Sequence, residues 1–290
     1  MESVGTMMNK LKADPGYEQK LLYPGKQLGD FDLKDLAIDT MSTGFRSLDN
    51  AMILKRNRGE LVILGARPSK GKSGLGFQIG TYVARGEKVH AFSLEMDHDS
   101  IAARQMSVAM NRPLDWIQKG GADSSQGAEA REKLKALNFV IDDQPGLNVY
   151  QIMDRARMQN KKSKTSLILV DYLQLIDVEG ENRALAVGKV SYSLKALAKE
   201  LRVPVLALCQ LNRQSEFREG GRPQLSDLKE SGSIEQDADV VMLIHRPDTD
   251  YENATIIVAK NRNGPTLDIP MKFAPAQCRF LDKETGNDLD

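Results

Sequence analysis

Cysteine is scarce in these 290 residues: Cys209 and Cys278 are the only two, with no metal-ligand spacing between them. That excludes a disulfide framework and a zinc site, and points to a reducing compartment. Net charge is absent as well, since Lys plus Arg and Asp plus Glu number 40 each. A globally basic nucleic-acid coat is thereby excluded, and any contact with DNA must come from a local patch. No apolar run approaches the roughly 20 residues of a membrane span, and the opening MESVGTMMNKLKADPG lacks the apolar centre of a signal peptide. A cytoplasmic protein is expected. Internal repeats and low-complexity tracts are missing too.

What is present is enough for a sizeable core. At 41% hydrophobic content most of the chain should form one large domain. Residues 1–40 are polar, are broken at Pro15-Gly16 and Pro24-Gly25, and carry a weak helical stripe at Val4, Met7, Met8 and Leu11. They read as an arm or linker helix preceding a domain at 41–290. From Leu61 onward, short apolar runs (LVIL, VHAFSL, FVID, LILV, VLALC) alternate with helix-length segments. Such runs predict βαβ units and a mostly parallel sheet covered on both faces, so the fold class is α/β. After DVVMLI, the segments TIIVAK and LDIPMKF flank the turn-rich NRNGP and predict antiparallel strands at the sheet edge. Val190, Leu194, Leu197 and Leu201 give 189–201 the spacing of a helix packed on that sheet.

The segment LVILGARPSKGKSGLG joins a buried strand to a helix through a P-loop pattern with Ala66 at its first position. Ala66, Arg67, Pro68, Ser69, Lys70, Gly71, Lys72, Ser73 and Gly74 are the candidate phosphate cradle. Glycine lets successive N–H groups turn inward to phosphate oxygens, and the positive end of the helix adds to the attraction. Lys72 would reach the β- and γ-phosphates and the Ser73 hydroxyl would ligate magnesium. Asp171, directly after LILV, is placed to hold the metal from the other side. Glu95, after FSL, has two readings: a base that polarises the attacking water, or a helix-terminal Glu stabilised by the dipole. Gln210, after VLALC, could sense a γ-phosphate through its amide. Its neighbours Asn212 and Arg213 read as loop polars.

Several blocks together resemble the C-terminal motor domain of DnaB-type replicative helicases: STGFRSLDN, GARPSKGKS, FSLEM, LILVDYLQL, LKALAKEL, CQLNRQSE, RPQLSDLKESGSIEQDADVVMLIHR and VAKNRNGP. They cover most of Ser42 to Pro265. The resemblance implies a RecA-like ATPase using ATP and Mg2+, assembled as a homo-hexameric ring that moves 5′ to 3′ along single-stranded DNA and opens forked duplex. It implies Glu95 as catalytic base, Asp171 as metal-side acid and Gln210 as γ-phosphate sensor. Lys260 and Arg262, a Lys-x-Arg that alone would read as an exposed basic hairpin, become cations supplied to a neighbour's γ-phosphate. Lys229, Glu230 and Gly232 become the positions touching DNA phosphates, with glycine admitting close backbone approach. VEGENRALAVGK resembles a second channel loop, which makes Arg183 and Lys189 secondary candidates for DNA contact.

The resemblance stops short at the N-terminus, where such helicases carry a separate helical domain that meets primase. Either a truncated chain or a compact form of the kind found in viral genomes is expected, and primase binding is not carried over. A helicase loader is a further candidate partner. Tyr192 stands where relatives tend to have a basic residue, and LKRNRG replaces a more glycine-rich approach to the first strand. The alternatives are a RecA-like recombinase filament and a non-motor ATPase switch, and the long match through LKESGSIEQDADVV favours the helicase.

Overall fold

A computed structural model describes residues 36–176, 183–213, 218–228, 232–247 and 249–283. Residues 39–290 cluster as one unit; of the preceding segment only 36–38 are described, so the arm expected at 1–40 lies almost wholly outside the described residues.

The apolar runs become strands β1 (Leu61–Ala66), β2 (Val89–Ser93), β3 (Phe139–Asp142), β4 (Leu167–Asp171), β5 (Val205–Gln210) and β6 (Val240–His245), all mutually parallel. Strands β7 (Asn253–Asn261), β8 (Leu267–Ala274) and β9 (Arg279–Asp282) extend the sheet antiparallel, in the order β3-β2-β4-β5-β1-β6-β7-β8-β9. The mostly parallel α/β sheet with antiparallel edge strands is thus as the sequence predicts. Strand β9 has no counterpart in that reading, because RFLD holds only two apolar residues between charged ends, where the equally short FVID holds three. Pro270 is tolerated inside β8 because pairing with β9 begins only at Met271, leaving one side of the strand open there.

The runs are continuous rather than alternating because both faces are buried. Val62, Leu64 and Ala66 point into one core, with Leu75, Phe77 and Ile79 of α2 (Lys72–Val83). Leu61 and Ile63 point into the other, with Ile152 of α5 (Val149–Lys162) and Val190, Leu194 and Leu197 of α6 (Arg183–Leu201). Each large apolar side chain so buried stabilises the fold by about 1.5–3 kcal/mol. Helix α1 (Arg46–Asn50) precedes β1, α3 (His98–Met110) and α4 (Ser125–Lys135) lie between β2 and β3 in the chain, and α7 (Gly232–Asp237) leads into β6. The N-terminus of α3 is capped by the Asp97 carboxylate, which accepts from Ser100 N, and that of α5 by a reciprocal Asn148–Gln151 box.

Candidate functional site

Parallel strands end at the same edge of the sheet, and that edge gathers residues far apart in sequence. Ser93 pairs with Asp171, Ala66 with Gln210 and Val170 with Ala207, so β2 and β4 end about two residues short of β1 and β5 at the same edge. The loop Arg67–Gly71 leaves β1 there and enters α2. Gly71 caps that helix at φ +98°, a conformation that L side chains rarely adopt. A Cβ on Gly71 would also stand 2.8 Å from the Phe280 ring and 3.2 Å from Phe273. A Cβ at this position is therefore excluded by both strain and space. Ser69 shares the left-handed region at φ +61°, and the loop is tied down by the Arg67 guanidinium, which donates to Leu211 O at 2.7 Å.

At the start of α2, the Lys72 amine donates to Asp171 Oδ1 at 2.6 Å, lies 3.5 Å from Glu95 Oε2, and sits 4.0 Å from the centre of the Tyr172 ring. Asp171 is fully buried, and its Oδ2 accepts no hydrogen bond within the described residues. Glu95 is about half exposed, at 47%. Its reading as a helix-terminal residue is not what the structure has: α3 is capped by Asp97, so Glu95 precedes the cap and turns to Lys72 instead. One buried carboxylate with an orphaned oxygen, one exposed carboxylate and an amine between them suit a polyphosphate with a hard divalent cation. No cluster of three or more His, Cys, Asp or Glu suited to a metal occurs among the described residues, so the cation would share its coordination with Ser73, Asp171, water and phosphate.

Gln210 closes β5 with its side chain outward, while Gln174 locks its backbone by accepting from Gln210 N at 3.1 Å and donating to Gln210 O at 2.9 Å. Nothing in the local pattern marked Gln174, because its role depends on β4 and β5 lying side by side. Asn212 donates its backbone N–H to Asp227 O and Arg213 is exposed.

Lys260 and Arg262 lie at the opposite end. Antiparallel β7 puts Lys260 opposite Val241 and Asn261 opposite Val240, at the start of β6, so neither cation reaches the P-loop of its own chain. They are not a free basic hairpin either. Lys260 Nζ donates to Glu235 O at 2.5 Å, and Arg262 donates to Gln236 O at 2.9 Å and to Asp239 Oδ1 at 3.2 Å. The last turn of α7 offers those carbonyls because helix ends leave them unpaired. Lys229 and Glu230 lie outside the described residues, as does the side chain of Arg183; Gly232 opens α7 and Lys189 is exposed on α6.

Residues 40–282 match the family described as DnaB-like helicase C terminal domain. Curated proteins named replicative DNA helicase DnaB are similar to the chain: that of Leifsonia xyli subsp. xyli is 39% identical over 263 residues, 86% of this chain and 57% of the relative. That of Geobacillus stearothermophilus is 39% identical over 265 residues, 87% and 58%. The chain therefore spans under three fifths of the length of these relatives. Two solved structures superpose at a TM-score of 0.80 and 28% identity. One is described as an ATPase domain, covering 98% of this chain and all of that one; the other is a DnaB-like replicative helicase described with its primase interactions, covering 97% and 70%.

Proposed function

The chain belongs to the DnaB-like helicase C-terminal domain family, and from that premise we propose that it is the ATP-hydrolysing motor of a replicative DNA helicase, a hexameric ring translocating 5′ to 3′ on single-stranded DNA. The observation that carries this reading is Lys72 held between buried Asp171 and exposed Glu95 at the mouth of a P-loop. Residues 41–290 are the motor and 1–40 an arm or linker.

In this reading the loop Ala66–Gly74 wraps the phosphates of ATP with its N–H groups, and Lys72 exchanges its carboxylate contacts for the β- and γ-phosphates. Ser73 and Asp171 would hold Mg2+, which when bound would neutralise charge on the phosphate oxygens. Glu95, free to move on the exposed side, accepts a proton from the attacking water. Gln210, with its backbone locked by Gln174, reads the γ-phosphate. Lys260 and Arg262 point away from their own P-loop and serve the adjacent subunit's, which makes hydrolysis conditional on assembly. Lys229, Glu230 and Gly232 contact the DNA backbone, so six neutral subunits grip the strand without a basic outer coat. The proposed partners are single-stranded and forked DNA, further copies of the chain, and a loader. Among the described residues no helix is long and apolar enough to cross a membrane, in keeping with work in the cytoplasm.

The test is ATP-driven strand displacement on forked DNA carrying either a 5′ or a 3′ loading tail, with Lys72→Ala as the blank. Unwinding that requires the 5′ tail is the expected result. DNA-stimulated hydrolysis without displacement would instead indicate a filament, a switch or a motor lacking its loader.

A further inference from the structure

Asp239 has no part in the chemistry above, yet among the described residues it is a heavily used carboxylate outside the phosphate site. It lies immediately before β6 with its side chain 7% exposed. Its Oδ2 accepts from Leu61 N at 2.8 Å and from Lys195 Nζ at 2.5 Å, and its Oδ1 accepts from Arg262 Nη1 at 3.2 Å. The backbone joins in: Asp239 N donates to Leu61 O and Arg262 N donates to Asp239 O, each at 2.9 Å. Two partners on Oδ2 leave the carboxylate no freedom to rotate, so Oδ1 is a fixed acceptor.

We propose that Asp239 is the positioning residue for the trans-acting cation Arg262. This rests on the reading of Arg262 as the neighbour's cation. A guanidinium has five donors in a rigid plane. Two of its nitrogens, Nη1 and Nη2, are engaged by Asp239 and by the Gln236 carbonyl, yet the side chain remains 50% exposed, so the remaining donors face outward from the subunit. A long side chain held this way is already oriented when the neighbour's phosphate arrives, and hydrolysis gains because the ordering has been done in the free subunit. Lys260 is anchored beside it on Glu235 O, so the same helix end sets both cations.

The alternative is a purely structural role, because Asp239 also pins the first residue of the strand leading to the P-loop. Asp239→Asn separates the two. The amide oxygen can still accept from Leu61 N and Lys195, while its NH2 then faces Arg262 and cannot hold it. Expected is a fall in kcat for DNA-stimulated ATP hydrolysis of about tenfold, with the Kd for a fluorescent ATP analogue changed less than about twofold. In an Arg262→Lys background, where the two-pronged contact is already lost, the same change should cost less than about twofold. Unchanged kcat, a weakened Kd that tracks a lowered Tm, or an undiminished loss in the Arg262→Lys background would each overturn the proposal. If Asp239→Asn does not assemble, Asp239→Glu keeps the charge but displaces Arg262 by a methylene, and should lower kcat at unchanged Kd. Arg262→Ala run in parallel keeps the two readings apart: normal hydrolysis there defeats the trans role itself, whereas an inactive Arg262→Ala beside a normal Asp239→Asn defeats only the positioning.

Discussion

Two carboxylates touch Lys72, and their surroundings make them unequal. Asp171 is fully buried, so removing the amine strands a charge away from water; Glu95 is half exposed and 3.5 Å away, so solvent replaces its share of the contact. Lys72→Ala should accordingly lower the stability of the nucleotide-free protein by about 3 kcal/mol, the low end for breaking a buried pair, and Glu95→Gln by under about 1 kcal/mol. Denaturant midpoints of the two variants check this, and equal losses would mean that Asp171 is compensated from elsewhere. Neither number depends on catalysis, yet both variants should be unable to hydrolyse ATP, one through phosphate binding and the other through the base.

Helix α5 and strands β2 and β3 meet over a buried histidine. His90 is 1% exposed and tilts against Phe92 with ring centres 4.3 Å apart. Around it, Arg155 of α5 pairs with Asp142 of β3 at 2.7 Å, and Lys88 donates to the Gln159 and Ser163 carbonyls at the end of α5. Burial pushes the imidazole down to about 4, with Asp142 opposing and Lys88 and Arg155 adding to the shift. The unfolded chain therefore takes up this proton first, near its ordinary 6.5. Stability is full above that pH and falls as pH drops towards 4, by up to about 3 kcal/mol. His90→Phe should flatten the unfolding free energy across this window, as followed by urea titration at several pH values; an unaltered slope would place the acid sensitivity elsewhere.

At the scale of the whole molecule, the P-loop segment and the pair Lys260 and Arg262 occupy opposite ends of one sheet, so under the proposed trans role a single subunit would be an incomplete ATPase. Arg262→Ala should bind nucleotide at about normal affinity yet lose hydrolysis, in equilibrium binding and turnover assays on the same preparation. Lys229→Ala should weaken single-stranded DNA binding for every sequence alike and make it less dependent on salt, because each lost phosphate contact removes about 0.7 from the logarithmic salt slope. A loss confined to one DNA sequence would contradict backbone contact.

The parallel strands and the P-loop pattern were legible in the chain because they are written locally, whereas Lys229, Lys260 and Arg262 were singled out only by the family resemblance. Apolar runs at helix-length intervals specify parallel strands buried on both faces, and the spacing of Gly71, Lys72 and Ser73 after such a run gives the P-loop pattern on which the proposed phosphate site rests. Those signals need no knowledge of what lies opposite. What only the tertiary structure decided are contacts between positions remote in sequence: Lys72 with Asp171, 99 residues apart, Gln174 with the Gln210 backbone, Phe280 behind Gly71, and Asp239 between Leu61, Lys195 and Arg262. Strand order and register set these distances, and no local pattern carries strand order; Lys72 meets Asp171 and Gln174 meets Gln210 only because β4 lies beside β5 and β5 beside β1.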